Sequence, residues 1–196
     1  MSRIIIIGAG AVGGVVGGLL HLAGHEVVLV ARGAHADALA SDGLRIRNPD
    51  GEKLVRVPVV RSVDDLTFLP GDVIFLAVKT QDCLPLLDRL ASLAPPGVTI
   101  ACAQNGLESE RLALRFFANV LGVYLFVYHA HLSPGVVDCH TAPCPGAIDV
   151  GRYPAGTGDR AEALAAALRD AGFDAVARDD IMAWKRAKLV LNTGNA

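Results

Sequence analysis

Apolar residues follow two rhythms along this chain. Short unbroken runs have the length and β-branched content of strands buried on both faces: Ile4 to Ile7, Val27 to Ala31 within HEVVLVAR, DVIFLAVK ending at Lys79, and PPGVTIACAQNG ending before Asn105. Elsewhere apolar positions recur every three to four residues, which predicts helices in QDCLPLL, LESERLALRFF and GDRAEALAAALRDAG. Thr80 is the expected cap of the first of these. Asp159, with Glu162 three residues on, is the expected cap of the last. LRIRNPDGEKLVRVPVV predicts a hairpin turning at Asn48 to Gly51, and VLGVYLFVYHAHL and AIDVGRY add β-rich segments. DDIMAWKRAKLVLNTGNA predicts a closing helix capped at Asp179 or Asp180. Strands alternating with helices predict an α/β fold of Rossmann type with a mainly parallel sheet.

The run IIIIGAGAVGGVVGGLL, residues 4–20, has the apolar length of a membrane segment or a secretory signal, with Arg3 before it. Its glycines argue otherwise, because Gly8, Gly10, Gly13, Gly14, Gly17 and Gly18 would each cost about 1 kcal/mol relative to alanine inside a plain helix. Gly8-Ala9-Gly10-Ala11-Val12-Gly13 instead fits G-x-G-x-x-G. In that motif the first glycine permits a tight turn, the second admits a pyrophosphate to the backbone, and the third lets helix pack on strand. A second strand follows within about 30 residues, as a βαβ unit requires. All six motif residues are therefore candidate dinucleotide contacts, a purely structural glycine turn being the alternative.

The end of the second strand selects the dinucleotide. An acidic residue there would hold the ribose hydroxyls of NAD; this chain has Arg32, whose guanidinium suits the 2′-phosphate of NADP. A solvated surface arginine is the other reading, and His35 is a weaker candidate helper. Lys79 and Asn105 also follow strands, so the fold would bring them to the same crevice as the glycine turn. Asn105, three residues before Glu108, also fits a helix cap. In the closing helix Lys188 and Asn192 are four residues apart and share a face, with Lys185 and Asn195 nearby. A lysine can protonate a forming alkoxide while an amide orients the oxygen; a solvated basic face is the bland reading.

Composition narrows the class. The chain has 196 residues, is 52% hydrophobic and carries a formal charge of -2, which gives no basic excess for nucleic acid or an anionic membrane. Its four cysteines form no C-x-x-C pair, which predicts reduced thiols in a cytoplasmic protein. His129, His131, Cys139, His140 and Cys144 lie close in sequence, but their spacing matches no standard zinc pattern, and no metal is expected.

Taken in order, IIIIGAGAVGG, VLVARG, LAVKTQD, QNGLE and KLVLN resemble the ketopantoate reductase (2-dehydropantoate 2-reductase) family over nearly the whole chain. The resemblance implies NADPH-dependent reduction of a small 2-oxo acid, ketopantoate above all, in pantothenate and coenzyme A biosynthesis. It implies Lys188 as the catalytic general acid, Asn192 as a substrate-binding residue, and cofactor contacts at Arg32, Lys79 and Asn105. A second family asparagine would fall at Ala196, where the chain has Asn195 one residue earlier, and Trp184 stands four residues before Lys188 rather than the commoner two. The family's helical C-terminal domain implies residues 1–178 as the NADP-binding domain and 179–196 as the start of a second, so the chain is expected to be a fragment that binds cofactor but barely turns over. Ile181, Leu189 and Leu191 would then lack packing partners, which makes a homodimer a candidate assembly. A reductase of other 2-oxo acids or of opine type, or a non-catalytic dinucleotide sensor, remain open readings.

Overall fold

The structure, a computed structural model, describes residues 2–193, with side chains to residue 192. Asn195 and Ala196 lie outside the described residues.

Ile4–Ile7 form β1, and α1 (Ala11–Leu22) carries the chain to β2 (Val27–Val30). After α2 (Gly33–Ser41), β3 (Leu44–Asn48) and β4 (Gly51–Val55) make the expected hairpin, and β5 (Val59–Val60) returns to the main sheet. Then come β6 (Val73–Leu76), α3 (Cys83–Leu93), β7 (Thr99–Cys102), α4 (Glu108–Ala113) and β8 (Val120–Phe126). The remainder is β9 (His129–Ser133), β10 (Val136–Cys139), β11 (Ala147–Arg152), α5 (Asp159–Asp170) and α6 (Ile181–Thr193).

The main sheet has seven strands in the order β11-β8-β7-β6-β1-β2-β5, all parallel except β11, which runs antiparallel to β8. From β1 the chain moves outward through β2 to β5, then crosses back to β6 and proceeds the other way. The order therefore reverses beside β1, and that reversal opens a crevice at the carboxyl ends of the strands.

Strand alternation fills both faces of this sheet. Ile4, Ile6, Val73 and Phe75 enter one apolar cluster with α1 and α5, while Ile5, Ile7, Ile74 and Leu76 enter the other with α3. This is why the β1 run has no polar position.

Hairpin β3–β4 does not stand alone. It joins β9 and β10 in a four-stranded sheet of order β4-β3-β10-β9, in which β3 and β10 are parallel. That sheet lies on α1, and it explains Gly14 and Gly18, whereas Gly17 lies against Leu29 and Ile6 of the main sheet. A Cβ on Gly14 would come within 2.7 Å of Val137, and one on Gly18 within 2.6 Å of Ile46.

Three expected caps are corrected. Thr80 caps nothing: it opens a 3-10 turn, Thr80–Asp82, in which the Lys79 carbonyl accepts from the Asp82 N–H, so backbone replaces the side chain. β6 accordingly ends at Leu76, before Lys79. Asn105 does not cap α4, because a turn through Gly106 at φ +90° moves the helix start on to Leu107, and Glu108 pairs with Arg111. The cap of α5 is Gly158, leaving Asp159 and Glu162 in the first turn, where they favour the helix dipole. Among the described residues no helix is long and apolar enough to cross a membrane.

Candidate active site

The glycine turn sits where β1 leaves the sheet. Gly8 takes φ +97°, a backbone that disfavours any side chain, and Gly10 is the N-cap of α1 with no side-chain bond of its own. A Cβ on Gly13 would stand 2.1 Å from the Gly8 carbonyl oxygen and 2.9 Å from Ile6, so only glycine lets α1 lie this close to β1. A Cβ on Gly10 would meet nothing within 4 Å. Gly13 thus serves packing, while Gly10 faces open space at a helix N-terminus.

That space is a cleft of about 240 Å³ lined by Gly8, Ala9, Gly10, Arg32, His35, Asp82 and His131, among others. The cleft fits a dinucleotide phosphate: a bare N-terminal turn of α1, glycine where the ligand must approach, and the exposed Arg32 at the start of α2. His35 ties its walls together. Its Nδ1 accepts from the Gly135 N–H at 2.9 Å, which leaves Nε2 to donate to the Ala9 carbonyl at 2.7 Å. Burial and the His131 ring, centred 4.2 Å away, hold His35 below the usual histidine pKa, against the favourable Ala9 carbonyl.

A second group of candidates meets across the sheet. Gln104, Asn105 and Gly106 from the end of β7, Tyr124 and Leu125 from β8, and Lys185, Lys188 and Asn192 from α6 line one recess of about 10 Å³. The Lys188 ammonium donates to the Leu125 carbonyl and lies 5.6 Å from the centre of the Tyr124 ring. Burial, then the charge on Lys185, lowers the Lys188 pKa from the ordinary lysine value. The structure thus brings Lys188, Asn192 and Asn105 together. It leaves Lys79 exposed at the head of the 3-10 turn after β6, outside both the cleft and the recess.

Lys185 differs from its neighbour. It is buried, paired with the fully buried Glu110, and donates to the carbonyls of Gln104 at 2.9 Å and Cys102 at 3.3 Å. Burial pushes the Glu110 carboxyl up, and the Lys185 charge opposes this. The same surroundings raise the Cys102 thiol well above the usual value, burial first and Glu110 second.

The His and Cys cluster disperses into backbone bonds. His129 bonds the Pro145 carbonyl through Nε2, His131 bonds that of Val136 through Nδ1, and Cys139 is buried. Among the described residues no three His, Cys, Asp or Glu side chains gather as metal ligands would.

Comparison with known proteins separates the sheet from the chemistry it could carry. Residues 4–155 match the family model "Ketopantoate reductase PanE/ApbA". The 2-dehydropantoate 2-reductase of Archaeoglobus fulgidus is 33% identical over 98% of this chain and 61% of that protein. The chain belongs to the ketopantoate reductase family. The crystal structure of 2-dehydropantoate 2-reductase from Methylococcus capsulatus superposes with TM-score 0.83 and 31% identity, covering 97% of this chain and 61% of that one. D-mandelate dehydrogenase in ternary complex with NADH and anilino(oxo)acetate superposes with TM-score 0.84 and 25% identity, over 97% and 61% respectively. The chain therefore spans about 61% of the length of the ketopantoate reductases it matches.

Reading the sequence alone misses Glu110, Tyr124, Asp82 and His131. Glu110 carried a signal. It stands one turn before the apolar Ala113, as Lys185 stands one turn after Ile181 and Met182, so each helix puts one charge among its inward-facing positions. Asp82 gave none, and His131 stood out only as a neighbour of other histidines and cysteines, because the turn at Thr80–Asp82 and the second sheet that bring them to the cleft are set by tertiary packing.

Proposed function

We propose that this chain carries the cofactor-binding and proton-donating part of an NADPH-dependent reductase acting on ketopantoate. The observation that carries the reading is the recess itself: Lys188 and Asn192 on one helix face, opposite Asn105 at the carboxyl end of β7. The glycine turn and Arg32 would hold the pyrophosphate and the 2′-phosphate; Lys79, exposed between the cleft-lining Val78 and Asp82, would have to swing its side chain inward to add a contact. A reduced nicotinamide bound there would supply the hydride. Lys188, as the ammonium, would polarise the keto oxygen and donate the Nζ proton to it as the carbonyl becomes a hydroxyl. Asn192 would orient the same oxygen, and Asn105, on the facing loop, would contact the cofactor.

A recess of about 10 Å³ has room for roughly one water, so a 2-oxo acid needs further walls. We assign those walls to a domain that begins at residue 179 and follows the 1–178 cofactor domain. The matched length of about 61% supports this division. The exposed Leu189 and Leu191 support a covered α6 face, for which such a domain or a second copy is a candidate, whereas Ile181, expected to be unpartnered, is fully buried. A cytoplasmic location fits the unpaired cysteines.

One finding favours a second reading. The likeness to D-mandelate dehydrogenase supports a reductase of other 2-oxo acids, one that could use NADH. Steady-state kinetics of the full-length protein with ketopantoate and an aryl 2-oxo acid, each with NADPH and NADH, tests both. The primary reading expects the highest kcat/KM for ketopantoate with NADPH. A higher value for the aryl acid with NADH would replace it.

A further inference from the structure

Glu110 and Lys185 form an ion pair with side-chain exposures of 0% and 3%. The three ammonium hydrogens of Lys185 have three acceptors: the Glu110 carboxylate and the carbonyls of Gln104 and Cys102. Buried pairs of this kind are often no more stabilising than apolar groups of the same volume, so stability alone gives weak grounds for one.

Its place in the fold supplies a stronger ground. Cys102 ends β7, and Gln104 is the residue before Asn105; Lys185 is one helical turn before Lys188 on α6. One ammonium therefore ties the helix bearing Lys188 and Asn192 to the loop bearing Asn105. β8 leaves room for this docking at Gly122, where a Cβ would lie 3.2 Å from Met182, 3.3 Å from Ile181 and 3.5 Å from Glu110. Around Lys188 the titratable neighbours are Lys185 on its own helix, with Glu110 behind it, and Tyr124 on β8. From β11, the other strand against α6, Asp149 is occupied by Arg178. The Lys185 charge is thus the named electrostatic influence on Lys188, after burial.

We propose that the Glu110–Lys185 pair is the positioning device of the reductase centre, fixing α6 against the carboxyl end of β7 so that Lys188 and Asn192 stand across from Asn105. Lys185 lines the recess, but its ammonium hydrogens are taken by Glu110 and the two carbonyls, so both members of the pair act through Lys188 and Asn105. The inference rests on the reading of Lys188 as proton donor. Glu110 is the only carboxylate among the three acceptors of Lys185, so without it one ammonium hydrogen loses its partner in a buried place and the ties to Gln104 and Cys102 loosen.

The test uses full-length protein carrying Lys185→Met, Glu110→Gln, or both. The double variant removes both charges at nearly constant volume, so it is expected to fold with a melting temperature close to the parent's. Its kcat with ketopantoate should fall by roughly ten- to a hundredfold while NADPH affinity stays within about twofold, the signature of lost positioning rather than lost binding. In NMR titration of ¹³C-labelled lysine, assigned with Lys188→Arg, the Lys188 signal should titrate at higher pH in the double variant, and the Asn105 amide should shift. A double variant with parental kcat and an unmoved Lys188 titration would overturn the proposal. If Lys188→Ala turned over like the parent, the proton-donor reading would fail instead, and the Asn105 amide and Lys188 titration would still decide whether the pair positions the helix.

Discussion

His35 donates from Nε2 to the carbonyl of Ala9 across 2.7 Å, joining the first turn of α2 to the glycine turn. Its other nitrogen already accepts from Gly135, so a second proton has no acceptor and would face an N–H. Burial lowers the pKa of this ring, and of His129, below the 6.5 of a free histidine. The unfolded chain then takes up these protons more readily than the folded one. Stability is complete above about pH 6.5 and is lost as pH falls from there through the folded-state values. Melting temperature should drop between pH 7.5 and 5, and less so in His35→Gln/His129→Gln. An equal drop in that variant would assign the acid sensitivity elsewhere.

Gly10 and Gly13 should separate binding from folding. Gly13→Ala drives a methyl into the Gly8 carbonyl and Ile6, a backbone clash that α1 can relieve only by lifting from β1. It should destabilise the protein by about 1–3 kcal/mol. Gly10→Ala meets open space and should cost under about 1 kcal/mol, yet its methyl occupies the ground a pyrophosphate must approach. Denaturant melts with dinucleotide titrations check both. Unimpaired binding in Gly10→Ala would move the phosphate site away from this turn.

Arg32 tests the choice of dinucleotide. It is exposed at the start of α2, and among the described residues its side chain forms no salt bridge, which leaves it open to a 2′-phosphate. Removing one charge-assisted contact costs roughly 1.5–3 kcal/mol. Arg32→Ala should therefore weaken NADPH binding by about ten- to a hundredfold and leave NADH within about twofold. Asp82 lines the same cleft and opposes a phosphate there, so Asp82→Asn should shift preference toward NADPH. Equal losses for both cofactors in Arg32→Ala would remove the argument for NADP.

Local signals carried most of the main sheet. β1, β2, β6 and β7 are unbroken apolar runs because helices cover both faces, and the glycine turn is forced by the clash that a side chain at Gly13 would make. Of the second sheet the hairpin and the β character of β9 were legible, but not the assembly: β3 pairs with the distant β10, and no local pattern encodes such a parallel partner. The misplaced caps share one cause. Thr80, Asn105 and Asp159 each have a capping side chain, but a 3-10 turn, Gly106 and Gly158 set the backbone first. That Lys188 and Asn192 share one face of the closing helix was legible from helical spacing; the chemistry assigned to them came from the resemblance. Glu110 acquires its role only when α4 and α6 meet.

Lys188 should be the proton donor of the full-length enzyme. Its ammonium reaches the Leu125 carbonyl and the Tyr124 ring at the recess, which holds it beside the space where a keto oxygen would lie. Lys188→Ala should lower kcat by roughly 10² to 10⁴ with little change in NADPH affinity, the usual size of a general-acid effect. Asn192→Ala should act mainly on the KM for the 2-oxo acid. The pH profile gives an independent check. Because the acid must be protonated, kcat/KM should fall as pH rises through the Lys188 pKa, and burial with the Lys185 charge brings that fall below the range of an ordinary lysine. In Lys188→Ala this alkaline limb should vanish along with the rate. A residual rate that kept the same limb would show that another group titrates there, and the buried Lys185 would then be the next amine to replace.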